Sequence, residues 1–403
     1  MNAPHRPGGL HPAVRRHTFA LVLGASLVAA ACGSSSTTSS GGGAPGVSAK
    51  SITFGQTVPH TGPTGEYGQS TAGVQAYFAM VNAHGGVNGR TLKLVSLDDH
   101  YSPPTALQDT RLLVYQDHVF AEVAVNGSAT TKSDLTVLNP NNVPLVGPQS
   151  GATFLQPFVK NVYNVWPAYT VEGKTLGDFA VNTLHLNKLV AFYQNDDFGQ
   201  SLLSGVENSA AGSHLVSKLS YDPSQTDFST DALNAQHAGA DGVLFLSVPG
   251  STTSMLNAMA TIHYNPAKLI SQVGAIPTTI KTSPVEFPGS YIGAFVPPLV
   301  GTTSAAASQF QQAMAKYQPG QPVNVFSGWG WIEAQVAVAG LQNVHGKLTR
   351  TSYEQGLDGV SNLQTMGGPL SFSSSSHHGL PCEFMVQANA QGEFAPVANG
   401  PKC

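Results

Sequence analysis

Ser128 is the residue best placed to do chemistry. It follows an apolar, β-branched run at 119–125 and opens a helical pattern at 130–138. A hydroxyl there, with the unpaired N–H groups of a helix start, makes a site for an anion. The same position suits an ordinary helix-capping serine, and the residues alone leave both readings open. Asp98 and Asp99 are adjacent carboxylates at a strand end. Neighbours in a strand point to opposite faces, which argues against a catalytic dyad. His377-His378 lies in the polar turn SSSSHHG. Adjacent residues rarely face one centre and no third ligand stands at useful spacing, so a solvated loop is expected and no metal. The motifs G-x-S-x-G, H-E-x-x-H, the phosphate loop and G-x-G-x-x-G are all absent. No cofactor and no catalytic residue is expected.

The elements that must position such residues alternate. A strand at 51–58 ends in a Pro/Gly turn. A helix follows with Val74, Tyr77/Phe78 and Val81 on one face, Gly85-Gly86 stops it, and a strand returns at 91–97. That is one βαβ unit, the module of a parallel sheet covered by helices. Strands are expected at 119–125, 144–146, 188–193, 215–221, 242–246, 268–272 and 291–296. Helices are expected at 130–138, 171–182, 201–211, 251–261, 305–317, 328–342 and 351–356. A hairpin should join 383–387 to 394–397. Trp166, Trp329 and Trp331 read as core residues, with a place at a cleft mouth as the alternative.

Thr61-Gly62-Pro63, Tyr67-Gly68, Gly73, Asn82, the run Gly85-Gly86-Val87-Asn88-Gly89-Arg90 and Asp98-Asp99 follow one another over about fifty residues. In that order and spacing they resemble the opening of the leucine/branched-chain amino-acid-binding family, the type I periplasmic binding proteins that serve ABC importers. Weaker landmarks continue it: Asn126-Gly127-Ser128, Val143-Pro144-Leu145, Asp196-Asp197-Phe198-Gly199-Gln200, Thr226-Asp227-Phe228-Ser229 and Gly368-Pro369-Leu370. The resemblance implies an α/β fold of two Rossmann-like lobes with parallel sheets, three hinge crossings and a ligand cleft between the lobes. It places lobe 1 at 50–168 plus 297–361 and lobe 2 at 169–296 plus 362–403, with crossings near Ala168, Pro297 and Asn362.

The resemblance also names a site. Ser128 aligns with a residue that holds a ligand carboxylate. Gln149-Ser150-Gly151 aligns with a segment that binds through backbone and hydroxyl, the hydroxyl position being Gly151 here and Ser150 its neighbour. Tyr67 aligns with a cleft aromatic. The facing lobe departs from the pattern. Tyr169 stands for an acidic residue, Phe198 for a tyrosine, Val248 for a cleft tyrosine and Val273 for a glutamate that pairs with the ligand ammonium. An ammonium buried without a partner costs several kcal/mol. The expected ligand is therefore an aromatic or aliphatic carboxylate or amide without a standard α-ammonium group. Asp98, Asp99, Asp196 and Asp197 remain as acids that could serve instead.

Composition bounds the rest. The chain has 403 residues, 41% hydrophobic and only 10% charged, with net charge −4. Two lobes suit that length, and no nucleic-acid partner is expected. Arg6, Arg15 and Arg16 precede a short apolar stretch at 19–31 and then Cys32. This resembles a lipoprotein signal peptide (1–31), with Cys32 lipidated and a Gly/Ser/Thr tether (32–49) expected to be disordered. Cys382 and Cys403 then remain as an even pair in an oxidising compartment. A bridge between them would close a loop of about 20 residues and contribute roughly 3 kcal/mol. The expected function is a monomeric solute-binding lipoprotein on the outer face of the cytoplasmic membrane. It would deliver its ligand to an ABC permease and ATPase by lobe closure. The alternatives are a branched-chain or other amino-acid binder, a ligand sensor for a membrane signalling partner, and a secreted hydrolase.

Overall fold

The run SITFGQTV forms β1 (Ser51–Val58) and TLKLVSLD forms β2 (Thr91–Asp98), paired in parallel over their whole length. Between them α1 (Ser70–Ala83) buries Val74, Ala76 and Phe78 against the sheet. α2 (Pro103–Tyr115), β3 (Ala121–Val123), α3 (Ser128–Leu138), β4 (Leu145–Val146) and β5 (Val162–Tyr163) complete a parallel sheet ordered β2-β1-β3-β4-β5. The computed structural model describes residues 43–275, 283, 286–297, 304–381, 383–389 and 393–397.

The chain then builds a second sheet. Its elements are α4 (Tyr169–Asn182), β6 (Leu189–Gln194), α5 (Asp197–Glu207), β7 (Leu215–Tyr221), α6 (Ser229–His237), β8 (Gly242–Leu246), α7 (Pro249–Thr261), β9 (Ala267–Ile270) and β10 (Tyr291–Ala294). The order β7-β6-β8-β9-β10 repeats the winding of the first sheet, so each lobe has a switch point beside its first strand. α8 (Ala305–Tyr317), α9 (Val325–Gln342) and α10 (Arg350–Asp358) return to the first lobe. There Trp331 meets Tyr77 at 4.7 Å, and Arg350 donates to the carbonyls of Val119 and Phe120. A hairpin of β11 (Leu363–Thr365) and β12 (Gly368–Leu370) lies beside α9, where Gln335 donates to the Gln364 carbonyl. β13 (Phe384–Ala388) and β14 (Phe394–Pro396) add antiparallel strands to the second sheet.

α1 and α9 cross at two glycines. A Cβ on Gly73 would strike the Ser327 carbonyl, and one on Gly330 would strike the Ser70 carbonyl. Asn324 caps α9 in a reciprocal box with Ser327.

The structure corrects several sequence expectations, among them α5, which runs Asp197–Glu207 rather than 201–211. The tether does not run to 49, because Gly46 closes a turn whose carbonyl accepts from Thr53 N–H, and Ala44 and Val47 pack on the core. His377 is not in a solvated loop. It is 3% exposed, stacks on Tyr163 at 3.8 Å and lies 3.0 Å from Asp358. α9 starts three residues before the expected 328, at the Asn324 cap. The expectations for Cys32, Cys382 and Cys403 lie outside the described residues.

Both lobes bury carboxyls that burial drives upward. Asp99 is pushed to about 8 and Asp134 to about 7. In the second lobe Glu172 is pushed to about 8 against the pull of the Gln272 N–H, and Glu383 beside it is also raised. Unfolded, such groups release their protons near pH 4. Between about pH 4.5 and 8 the folded chain therefore holds more protons than the unfolded one, and stability falls as pH rises. Denaturant unfolding should show a loss of about 2 kcal/mol or more from pH 5 to pH 8. A flat or rising profile would contradict the burial of these acids.

Candidate functional site

Loops leaving the C-terminal ends of strands in both sheets converge on one cleft, the place where such sheets take ligands. From the first lobe come Tyr67 after β1, Tyr101 after β2, Asn126 and Gly127 after β3, Gln149 after β4 and Trp166 after β5. From the second come Tyr169 at the start of α4, Phe198 after β6 and Val273 after β9. They enclose about 10 Å³, the threshold for a single water molecule. Anything larger enters only if the lobes or these side chains move apart.

The lobes touch across the cleft. The Tyr67 hydroxyl lies 3.4 Å from the Val273 carbonyl, Thr153 N–H donates to Ser201 Oγ at 3.1 Å, and Lys132 pairs with Asp197 at 2.9 Å. Burial pushes the Tyr101 hydroxyl well above its ordinary value, with Gln194 of the second lobe pulling it the other way. Tyr67 and Tyr169 are likewise pushed up by burial, so all three phenols stay protonated.

Ser128, Ser150 and Gly151 stand behind Tyr169 rather than on the cavity wall. Ser128 Oγ is 2.8 Å from Ser150 Oγ, which accepts the Ala152 N–H at 3.2 Å. The Ser128 hydroxyl and the Gly151 N–H face the Tyr169 phenol and pull its pKa down against the larger upward push of burial. Gly151 is glycine for a steric reason. A Cβ there would meet the Pro167 carbonyl and the Tyr169 backbone N–H and lie 3.0 Å from the Tyr169 ring. The tyrosine thus occupies the room in which a hydroxyl-bearing residue would stand. Val248 does not line the cavity. It is one layer back, its N–H donating to the Tyr221 hydroxyl at 3.2 Å.

The four acids left open by the sequence are otherwise engaged. Asp98 accepts from His60 N–H, Thr61 Oγ1 and His100 N–H. Asp99 is buried in the first lobe and accepts the Tyr101 N–H. Asp196 caps α5 through the N–H groups of Phe198 and Gly199, and Asp197 faces Lys132. None lines the cavity.

Sequence reasoning did not name Tyr101, Asn126 or Gly127 as ligand-site residues, and Trp166, read as core with a cleft mouth as the alternative, lines the cavity. Asn126 and Gly127 stood beside Ser128 in a motif that could have pointed to them. Tyr101 carries no such signal; it reaches the cleft because its φ of +58° turns the chain after β2.

Comparison with known proteins agrees with this geometry. A family profile described as periplasmic binding protein matches residues 51–393. An amino acid binding protein of Pseudomonas aeruginosa is 28% identical over 153 residues, which is 38% of this chain and 41% of that protein's length. The structure of a possible leucine/isoleucine/valine-binding protein from Rhodopirellula baltica superposes with a TM-score of 0.81 at 21% identity. It covers 87% of this chain and 97% of the other. A fatty acid ABC transporter substrate-binding protein from Thermomonospora curvata also gives 0.81, at 20% identity over 90% and 95%. The two-lobed α/β fold is the fold of these proteins. With most of its length matched to that profile, the chain belongs to the periplasmic binding protein family, whose members bind solutes outside the cytoplasm.

Proposed function

We propose that this protein captures a small, uncharged amide-like ligand with an aromatic or aliphatic body and presents it to an ABC permease by lobe closure. The observation that carries the reading is the cavity wall itself: none of its residues bears a charge. An α-ammonium group would be buried with no counter-ion, at a cost of several kcal/mol. A carboxylate would find the space beside Gly151 filled by the Tyr169 ring and the Ser128 hydroxyl facing its phenol. Neutral groups and apolar bodies suit the five aromatic side chains of the wall. Neighbours of the same fold carry names with both leucine/isoleucine/valine and fatty acid, so the fold leaves the ligand class open. Binding needs no covalent step. The open form admits ligand, closure buries it, and the closed population is what a partner reads. Lipid anchoring through Cys32 would hold the protein beside that partner.

Thermal unfolding of the purified protein against leucine, phenylalanine, phenylacetate and phenylacetamide tests this. A ligand at a hundredfold excess over its Kd stabilises by about 2.7 kcal/mol. Phenylacetamide should raise the midpoint and the amino acids should not. Tight leucine or phenylalanine binding with no response to the amide would sink the reading.

A further inference from the structure

Behind the cleft a chain of polar side chains runs from the wall to Glu333, a residue the sequence did not single out. Glu333 on α9 is fully buried. Its Oε1 accepts the Trp166 indole N–H at 2.9 Å, and its Oε2 accepts Gln149 Nε2–H at 2.9 Å. Gln149 Oε1 then accepts Asn126 Nδ2–H at 2.9 Å. Asn126 Oδ1, on the cavity wall, is buried with no hydrogen-bond partner. A buried acceptor with no partner is destabilising, and that loss is recovered when a ligand supplies the missing donor.

Both hydrogen bonds at Glu333 arrive from N–H groups, and that sets the direction of the chain. An indole N–H only donates, so Glu333 accepts from Trp166. Burial drives the Glu333 carboxyl well above its ordinary range, and the Gln149 and Trp166 N–H groups oppose that rise; in the ionised form they favour, both oxygens accept and Gln149 turns its NH₂ towards Glu333. Gln149 then shows its oxygen to Asn126, Asn126 turns its NH₂ inward, and its oxygen is left for the cleft. We infer that Glu333, Gln149 and Asn126 form a polarity relay that makes the cleft wall an acceptor and selects ligands carrying an N–H or O–H donor. The inference rests on the neutral-ligand reading above and adds which neutral group is read. Asn126 is the residue that touches ligand; Gln149 and Glu333 are positioning residues.

The relay has a consequence that a merely structural role does not share. In Glu333→Gln the amide oxygen must still accept from Trp166, so its NH₂ faces Gln149. Gln149 and then Asn126 must each reverse, and the wall presents a donor instead of an acceptor. The same side-chain volume therefore reads the opposite group.

An isosteric pair of probes, N-methylphenylacetamide and methyl phenylacetate, differs by N–H against O at one position. Calorimetric titration of the full chain should show the amide binding tighter than the ester by about tenfold or more. Glu333→Gln should abolish or invert that ratio. Asn126→Leu, which leaves the buried carboxylate and both its donors in place, should bring the ratio near one and serves if Glu333→Gln does not fold. Binding of both probes with no preference, or a preference unchanged in either variant, overturns the relay and leaves the neutral-ligand reading standing. If neither probe binds the unaltered protein, the neutral-ligand reading fails and the relay falls with it.

Discussion

Gly330→Val is expected to lower the unfolding free energy by about 3 kcal/mol or more, read as a shift in urea midpoint at constant slope. The added Cβ would overlap the Ser70 carbonyl, which belongs to the backbone of α1 and cannot rotate aside. Relief requires α1 and α9 to separate, and that exposes the apolar faces they bury against each other. Gly73, which faces the Ser327 carbonyl across the same crossing, should respond alike. Gly250→Ala is the matched control. Nothing lies within 4 Å of its added Cβ, so its effect should stay within about 0.5 kcal/mol. A Gly330→Val variant as stable as the control would show that the helices do not cross this closely. The crossing also matters to the cleft, because Glu333 lies one turn beyond Gly330 on the same helix.

Tyr169→Ala is expected to open the cleft to carboxylates, tightening phenylacetate binding by about tenfold to a hundredfold. Removing the side chain uncovers the Ser128 hydroxyl at the start of α3, where helix-end N–H groups favour an anion, and the Gly151 N–H in the loop after β4. Tyr169→Phe separates the two contributions of the residue. It removes the hydroxyl that Ser128 faces but leaves the ring in place, so phenylacetate affinity should stay low. Unchanged phenylacetate binding in the alanine variant would mean that Tyr169 does not stand in for an anion. The ring is buried against Phe198 at 5.1 Å, so the alanine variant should also lose about 3 kcal/mol of stability.

Much of the fold is legible because its signals are local. The strands at Ser51–Val58 and Leu215–Tyr221 and the helix at Ala305–Tyr317 fall where their periodicity places them. α2 and α6 do not stand out. α2 opens on two prolines, which read as a break although proline suits the first turn of a helix. α6 is short and mostly polar, with only Ala232 and Ala235 buried. His377 is misjudged for a different reason. Its neighbours in sequence are serines, while its neighbours in space are Tyr163 and Asp358.

The cleft divides along the same line. Residues at strand ends are legible, since the winding of a parallel sheet sends every βα loop to one edge. Tyr67, Gln149, Phe198 and Val273, which the family resemblance named, lie on such loops and line the cavity. The sequence by itself thus determined an alternating α/β fold with strand-end loops; its resemblance to the family added the two lobes and the missing acid at Tyr169. Only the tertiary structure decided that the Tyr169 ring fills the space beside Gly151, and that Asn126 lines the cavity with a buried oxygen left without a partner. Those outcomes depend on groups 167 and 184 residues apart meeting at Glu333. Local pattern fixes the period of a strand or helix. Which donor meets which acceptor is fixed only when distant helices and both lobes close around the same few ångströms.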